Sequence, residues 1–548
     1  MHNLYGALFE SVYLECTREY YAAQFSKYKD PQVFLRDCIK MVQVEVDRAE
    51  AILPVSSRAA ARNAAETGLI DGHAGWLARG VVGKLLDEKN IEELRKLHDL
   101  LLRAGADATL VEAFKSAVRE HVSAIVKDVT RNEEMIDRLL EFKRVCDAAV
   151  EGSFRGPLRN YAYALTDGFT AGFLARRRAP AEMLAKHVDR LMRKGHEGAS
   201  DEEFGKKLDS VLALYRFTDD KDVFRTFYHR SLSRRLLLGR SASDDFEKAV
   251  LKKLKEQYDP EFSMGDQMFS DLMLSRDMMR EYHDRHQEGS NAFKLNVMIL
   301  QQSVWPFSGR QQSSLHLPLA MQQELAAFEK FYSEKHKGRK LEWNHALGTA
   351  TLTARFLSAS KVQDKTKDLS VSLFQAAVLL LFQDVDPTEG KELTYKEILA
   401  TLAIRRWFTS MRRTLQSLAC GKKRVLKKLP PGRDVDDDDK FAINEKFQDP
   451  FHTVHINSIQ AKETPEESKR TQQAIEGDRK HLLDAAIVRI MKAKKQLTYE
   501  EIKTQTIEAV RKHFAPDIAS IKQRIDSLVE GEYLRRDDDD RTLFYYVA

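Results

Sequence analysis

Cysteine is scarce in this chain of 548 residues, and its four cysteines are Cys16, Cys38, Cys146 and Cys420. No two of them form a CxxC pair, so neither a disulfide framework nor a structural zinc site is predicted. The first residues lack the basic, apolar and small-residue regions of a signal peptide. The longest apolar run, residues 376–382, is far shorter than a bilayer span. We therefore expect a soluble protein in a reducing compartment, with no membrane contact.

The sequence motifs of common enzyme classes are also missing. There is no GxxxxGK[ST], HExxH or GxSxG, and no GxGxxG opens a helix after a strand. His336, His345, His452 and His455 have no partners at metal-ligand spacing, so we interpret them as ordinary core or surface residues. The sequence therefore predicts no catalytic residue, no metal and no cofactor.

Proline is absent between Pro54 and Pro157, where it would break a helix interior. Apolar residues also recur at the spacing of one helical face near the start, at Phe9, Val12, Tyr13, Cys16 and Tyr20. The length predicts roughly three to five domains. The 88 basic and 83 acidic residues leave a formal charge of only +5, which does not by itself imply nucleic acid.

Alternation of apolar and polar residues marks two half-buried strands, at Leu352, Ala354 and Phe356 and again at Val454 and Ile456. Polar residues such as Thr351, Thr353 and His455 occupy the positions between them. We therefore expect the chain from about residue 305 to residue 460 to mix strands with helices, whereas the preceding part is predicted to be helical.

A near-repeat is the most informative internal feature. The run LTYKEI (393–398) is matched by LTYEEI (497–502), and each contains the Thr-x-x-Glu spacing of a helix-starting capping box. Each copy follows an apolar helix and precedes another amphipathic helix and a strand-like segment. The order helix, helix, helix, hairpin predicts two winged-helix modules.

Winged helices commonly bind DNA, but charge argues against this in the second copy. Its third helix and flanks carry Lys522 and Arg524 against four acidic residues, Asp517, Asp526, Glu530 and Glu532. A helix that contacts phosphates should be clearly basic. Asp537–Asp540 then fall at the tip of the predicted wing, where they would repel a duplex.

The first copy is basic around its third helix and wing, at Arg405, Arg406, Arg412, Arg413, Lys422, Lys423, Arg424, Lys427 and Lys428. One interpretation is a solvated face balanced by Asp434–Asp439. Another is a steering surface for an acidic partner protein, which raises the association rate more than the affinity. A nucleic-acid-binding module is the rival hypothesis from a different functional class.

Lys492 lies on the first helix of the second copy. Ile487, Ile490, Met491 and Leu497 define the expected buried stripe of this segment, and Lys492 falls beside it, towards solvent. By periodicity alone it is an ordinary surface lysine, and nothing in its spacing predicts the desolvation that a catalytic lysine needs.

Three runs in the second copy are highly distinctive: DAAIVRIMKAKKQL (484–497), IKQRIDSLVEGEYLRRD (521–537) and the closing FYYVA (544–548). They resemble the cullin family, and the type-4 cullins best. The resemblance covers essentially the whole chain, through residues 4–21, 221–255, 331–352, 414–428 and 456–467.

The resemblance implies a mainly α fold in four parts. These are a helical stalk of cullin repeats, N-terminally incomplete (1–179), a four-helix bundle (180–300), an α/β sheet region with a first winged-helix-like module at about 370–430 (301–475), and a C-terminal winged-helix neddylation domain (476–548).

The implied function is that of a non-catalytic scaffold of a RING-type ubiquitin ligase, in the nucleus and cytoplasm. A RING-box protein adds a strand to the cullin sheet, by β-augmentation, and recruits a charged ubiquitin-conjugating enzyme. The segments expected next to that strand contain Trp343, Leu352, Phe356, Val454 and Ile456.

The family lysine that receives the ubiquitin-like neddylation modifier ends the motif IVRIMK, which places it at Lys492. This assignment reverses the interpretation drawn from periodicity. A deneddylating complex and a cullin exchange factor are further partners that the resemblance implies.

Family members usually carry three N-terminal helical repeats, and this chain begins within the second. The first repeat holds the adaptor-binding helices, so binding of the usual substrate adaptor is not predicted. An incomplete gene model and a short form of the protein are the two alternatives. A short form would be a regulatory fragment that binds the RING-box protein without assembling a ligase.

Overall fold

The computed structural model describes residues 5–547, apart from 155–157, 196–199, 240, 242, 261, 263, 286–293, 307–314, 357–364, 384–391, 404–407 and 457–464. It divides into two compact units, one of residues 1–228 with 475–548 and the other of residues 229–474. Twenty α-helices and nine short strands occur in the described residues. The prediction of a mainly α fold is therefore confirmed.

The first unit begins with ten helices: α1 (Ser11–Gln24), α2 (Pro31–Ile52), α3 (Val55–Ile70), α4 (Ala74–Asp87), α5 (Ile91–Arg103), α6 (Asp107–Lys127), α7 (Met135–Gly152), α8 (Leu158–Phe173), α9 (Ala179–Lys194) and α10 (Asp201–Ala213). Helices α3 to α7 fill the interval without proline. At the start of α2, Pro31 takes the first helical position and the Asp30 carboxylate accepts the Gln32 N–H at 2.9 Å.

Glycine allows α8 to lie very close to α6. A Cβ atom on Gly168 would come within 2.8 Å of Val118, and one on Gly172 within 2.6 Å of Val122. Both valines are fully buried. Since real Cβ atoms do not approach so closely, a larger residue at either position would push the two helices apart and open the core.

Three further helices follow: α11 (Lys221–Leu237), α12 (Asp244–Lys253) and α13 (Met264–Arg285). Residues 180–300, for which a four-helix bundle is predicted, thus contain five helices, α9 to α13. Serine caps account for two of the starts. Ser200 forms a capping box with Glu203, and the Ser243 hydroxyl accepts the Asp245 N–H at 3.2 Å.

The second unit mixes helices with strands, as predicted. After α14 (Leu319–Lys335) come β1 (Thr349–Phe356), β2 (Lys365–Ser372), α15 (Leu373–Leu380), β3 (Leu393–Thr394), α16 (Tyr395–Thr401), α17 (Phe408–Ala419), β4 (Leu426–Leu429), β5 (Lys440–Ile443) and β6 (Thr453–His455). One sheet has the order β1-β2-β6, in which β2 pairs antiparallel with β1 and parallel with β6.

Both predicted strand segments are confirmed in this sheet. Along β1 the odd-numbered residues are exposed, whereas Leu352 is half-buried and Phe356 is buried. Val454 lies in β6 and is fully buried, and Ile456 follows directly after the strand. Leu369 of β2 pairs with Leu352 on one side and with Val454 on the other, so one apolar face enters the core.

The chain ends with α18 (Pro465–Lys494), β7 (Gln496–Thr498), α19 (Tyr499–Val510), α20 (Ile518–Glu530), β8 (Leu534–Arg536) and β9 (Leu543–Tyr546). We call residues 373–443 the first module and residues 475–546 the terminal module. Their sheets have matching orders, β3-β5-β4 and β7-β9-β8, and each has the predicted order of helices and hairpin.

The first module extends past residue 430, the approximate end predicted from the sequence. Phe441 of β5 pairs with Leu393 of β3 and with Lys428 of β4, so β5 is the central strand of the sheet. Without β5 the other two strands would have no partner.

Candidate functional site

Lys492 lies in the last turn of α18 and its side chain is exposed. Ile487 and Met491 are fully buried in the core of the terminal module, and Ile490 is half-buried. The helix therefore has the buried stripe that periodicity predicts, with Lys492 beside it. In the described parts of the chain no carboxylate pairs with Lys492 or with the exposed Lys494.

Lys495 ends this helix in a left-handed backbone conformation, with φ of 67°. Its N–H donates to the Met491 carbonyl at 2.7 Å, and its carbonyl accepts the Tyr546 N–H at 2.9 Å. Its ammonium group lies 5.2 Å from the centre of the Tyr546 ring. Lys495 is exposed as well, but its backbone and its ammonium group contact the last strand, whereas among the described residues no contact of this kind holds the Lys492 or Lys494 side chain.

The terminal module contacts α11 of its own unit through a buried charge cluster. The Arg479 guanidinium donates to both carboxylate oxygens of Asp222, at 2.6 and 2.7 Å, and lies 3.1 Å from the fully buried Asp220 carboxylate. It also lies 4.4 Å from the centre of the Phe514 ring. Burial raises the pKa of Asp220, an effect that the nearby guanidinium opposes.

Further contacts support this attachment. The Asp222 N–H donates to the His513 carbonyl at 3.1 Å, and Arg178 pairs with Glu476 at 2.6 Å. All of these contacts involve residues 476–479 or 512–514 of the terminal module. Lys492 lies on a different part of α18, so a group attached there would not replace any of them.

Charge on the third helix of the terminal module is arranged against DNA binding. Arg524, one of its two cations, donates to both oxygens of Asp484 at 2.7 and 2.6 Å, which ties α20 to α18. In the wing, the Asp537 carboxylate accepts the N–H groups of Asp539 and Asp540. Asp538 and Asp539 are exposed at the tip. Phosphates would therefore meet carboxylates here, as the sequence predicts.

Four of the five residues predicted beside a RING-box strand come together in one core. Phe356, Val454 and Ile456 are buried members of it, and Leu352 is packed against them. Trp343 lies elsewhere, packed against Phe328 and donating its indole N–H to Glu329. The four side chains are thus core residues, and among the described strands of this sheet the outer backbone edges of β1 and β6 have no partner strand.

An extended segment that our sequence reasoning missed, Lys294–Leu300, lies beside α13. Leu295, Val297 and Ile299 point inwards, whereas Lys294, Asn296 and Met298 are exposed. Ile299 uses its N–H and its carbonyl to bond the Ser275 hydroxyl, both at 2.8 Å. No backbone–backbone hydrogen bond joins this segment to another described residue. Apolar and polar residues alternate over residues 294–297, which was a sequence signal for this segment, but the apolar Met298 interrupts the pattern.

No group of three or more histidine, cysteine, aspartate or glutamate side chains in the described residues could hold a metal ion. Among the described helices, none combines the length and the apolar character needed to cross a bilayer.

Comparison with known proteins agrees with this architecture. Residues 1–279 match the Cullin alpha solenoid domain, residues 299–447 match the Cullin alpha+beta domain, and residues 478–540 match the Cullin protein neddylation domain. The chain therefore belongs to the cullin family.

Similarity to individual relatives extends over the full chain. Human Cullin-4A is 35% identical over 553 residues, covering 100% of this chain and 70% of that relative. Mouse Cullin-4A is 36% identical with the same coverage, and Arabidopsis thaliana Cullin-3A is 33% identical over 560 residues, covering 74% of its length. These identities are consistent with a type-4 cullin.

Proposed function

We propose that this chain is a non-catalytic scaffold of a cullin-RING ubiquitin ligase that acts in ubiquitin-dependent protein degradation, in the nucleus and cytoplasm. The observation that carries the proposal is the match of residues 478–540 to the Cullin protein neddylation domain, with the exposed Lys492 inside it. A scaffold needs surfaces rather than reacting groups, and the open strand edges and the exposed lysine are features of that kind.

The RING-box protein is proposed to bind the second unit by adding a strand. The free edges of β1 and β6 and the extended segment Lys294–Leu300 support this, since each offers backbone groups without a partner among the described residues. Backbone groups alternate in direction along a strand. Because Ile299 bonds Ser275, Asn296 and Met298 direct their N–H and carbonyl groups to the opposite, open side. The bound RING-box protein would then recruit the ubiquitin-conjugating enzyme.

Substitution with proline tests this strand addition. Met298→Pro removes an open N–H without touching the core, because Met298 is exposed. We expect this variant to retain much less RING-box protein in co-purification than the matched Met298→Ala variant. Equal retention by the two variants would exclude the segment from the interface.

Lys492 is proposed to receive the ubiquitin-like modifier through an isopeptide bond. Its exposure, the absence of a described carboxylate partner and its place after a rigid buried stripe all favour transfer to this amine. An attached folded protein would change the docking equilibrium of the terminal module and so free the RING-box module, a population shift. A deneddylating complex and an exchange factor would act on the same region.

Lys492→Arg should abolish the added mass when the chain is co-expressed with a RING-box protein and the neddylation enzymes, because arginine keeps the charge but not the nucleophilic amine. Lys494→Arg, on the same exposed turn, should be modified normally. The measurement is intact mass. Full modification of the Lys492→Arg variant would disprove the site.

A further inference from the structure

The first module holds three of its cations against one acidic turn. Arg412 of α17 pairs with Asp437 at 2.6 Å, Lys396 of α16 pairs with Asp438 at 2.8 Å, and Lys428 of β4 pairs with Asp439 at 3.0 Å. Three successive carboxylates thus bind cations from three different elements. We call residues 434–439 the acidic turn.

The acidic turn has a buried base and an exposed tip. The Lys428 and Asp439 side chains are 6% and 5% exposed, and Asp439 also accepts the Asp436 N–H at 2.6 Å. Near the start of the turn, the Gln416 amide on α17 donates to the Arg433 carbonyl at 2.8 Å. The Arg412 and Lys396 pairs are exposed instead. The turn is therefore fixed at its base, while its outer ion pairs can exchange with solvent.

The two outer pairs neutralise Arg412 and Lys396, whereas other cations around the third helix and hairpin of the first module have no such partner. Arg413 is half-buried and Lys422 and Lys427 are exposed, and none of the three has an ion-pair partner among the described residues. Arg405 and Arg406 lie outside the described residues. Winged helices approach a duplex with their third helix and hairpin. Here the third helix carries the unpaired Arg413 directly after Arg412 in the sequence, and the hairpin carries the unpaired Lys427 directly before Lys428.

We propose that the acidic turn is a built-in anion that masks a latent nucleic-acid-binding face on the first module. Its Asp437 and Asp438 carboxylates occupy the cations that phosphates would otherwise bind. Because the acidic turn belongs to the same module as Lys396 and Arg412, its effective concentration at these two cations is high, and it outcompetes a phosphate in solution. Each outer pair is exposed and therefore weak, so neutralising the two carboxylates releases the cations without disturbing the buried Lys428–Asp439 pair.

The same contacts shift the pKa values of the paired side chains. The pKa of Asp438 is lowered by its hydrogen bond with Lys396, and the pKa values of Lys396 and Arg412 are raised by Asp438 and Asp437 respectively. The favourable interaction of Asp438 with Lys396 is thus present when the Asp438 carboxylate is ionised, and it is lost as the pH falls through the lowered pKa of that carboxyl.

The test compares two double variants of the full chain. Asp437→Asn with Asp438→Asn unmasks the face. Asp538→Asn with Asp539→Asn changes the net charge equally in the other wing, where no described cation pairs with those side chains. Binding of a fluorescently labelled DNA duplex is followed by anisotropy over a range of salt concentrations.

Only the first double variant should bind the duplex more tightly than the natural chain. Its plot of log affinity against log salt should be steeper by about 1.8, which corresponds to two further phosphates neutralised at about 0.9 each. Affinity and slope equal to those of the matched variant would overturn the proposal.

Removal of the released cations gives a second check. Adding Lys396→Gln and Arg412→Gln to the unmasked variant should abolish the gain, and persistence of the gain would overturn the assignment of the face. A labelled oligoglutamate peptide is the competing ligand class. If the unmasked variant gains affinity for this peptide but not for the duplex, the face is one for acidic proteins and the nucleic-acid proposal fails.

Discussion

The first and terminal modules are built on one framework but differ in what holds it together. Each starts its second helix with a threonine capping box, at Thr394 and Thr498, and each buries the isoleucine that ends the repeated motif, Ile398 or Ile502. Each also ties its third helix to its first. In the first module the Gln375 amide donates to the Ser417 hydroxyl at 2.7 Å, a buried neutral bond.

In the terminal module the corresponding tie is the ion pair between Arg524 and Asp484, which is about one-fifth exposed. The acidic turn of the first module and the acidic wing tip of the terminal module differ in the same way. Asp437 and Asp438 bind cations of their own module, whereas Asp537 and Asp540 bond to the turn itself. Shared local signals thus produce a shared fold, while the placement of a few charges decides whether a face is neutralised, exposed or repulsive.

A buried charge cluster around Arg479 attaches the terminal module to Asp220 and Asp222, and Arg479→Ala should therefore have the largest effect. Removing the guanidinium leaves the buried Asp220 carboxylate without its ion-pair partner, which costs about 3–5 kcal/mol. We expect amide hydrogen exchange in α18–α20 to accelerate accordingly. The loss should shrink as the pH falls, because protonation of Asp220 removes the buried charge.

Arg489→Ala is the matched control for this change, since Arg489 is exposed on the same helix. It should leave exchange in α18–α20 nearly unchanged. Equal exchange rates for the two variants would mean that the Arg479 cluster does not stabilise the attachment.

The two ties between first and third helices should respond differently to salt. Ser417→Ala leaves the buried Gln375 amide without its partner and should cost about 1–3 kcal/mol of stability in the first module. Arg524→Ala removes charged hydrogen bonds and should cost about 1.5–3 kcal/mol in the terminal module.

Salt screens only the second of these ties, so the cost of Arg524→Ala should fall between low salt and 1 M salt, where the screening length is about 3 Å. Local stability from hydrogen exchange in each module is the measurement. A cost of Ser417→Ala that falls as steeply with salt would contradict the assignment of a neutral tie.

The smallest expected effect concerns the capping boxes that the modules share. Thr394→Ala and Thr498→Ala should each cost about 1 kcal/mol, whereas serine at either position should preserve the cap. Hydrogen bonds from the Thr498 backbone N–H and, second, from its hydroxyl lower the pKa of Glu501, and Thr498→Ala removes only the hydroxyl bond. That part of the Thr498 effect should persist above the unfolded-state pKa of Glu501 and fade as the pH drops through the lowered value. The measurement is urea denaturation followed separately for each module. Clearly unequal costs of the two alanine substitutions would show that the two capping boxes are not equivalent.

Local chemistry made much of this fold predictable. Thr394 and Thr498 mark helix starts, the alternation at Leu352–Phe356 marks a strand, and proline-free stretches mark helices, because each signal depends on neighbours in the chain. Lys492 could be singled out only by resemblance, since an exposed lysine on a helix carries no distinguishing physical signal.

Features that depend on distant parts of the chain were not predictable. Arg479 pairs with Asp220 and Asp222, which lie more than 250 residues away in the sequence, and the residues around Arg479 give no sign of this pairing. The pairing of Arg412 with Asp437 was suggested only as overall charge balance, since the bend that brings them together depends on the hairpin β4–β5. The family resemblance placed Trp343 beside the strand residues, whereas in the structure it packs against Phe328.

The left-handed residue Lys495 connects the end of α18 firmly to the sheet of the terminal module. Its N–H is bound to the helix and its carbonyl to the last strand, so helix end and sheet must rotate as one piece. A protein joined to Lys492, three residues before Lys495, would be carried by the whole terminal module rather than by a fraying helix end. Lys495→Gly would relieve the backbone strain but would make the connection between helix and sheet more flexible. The attached protein would then move independently of the terminal module.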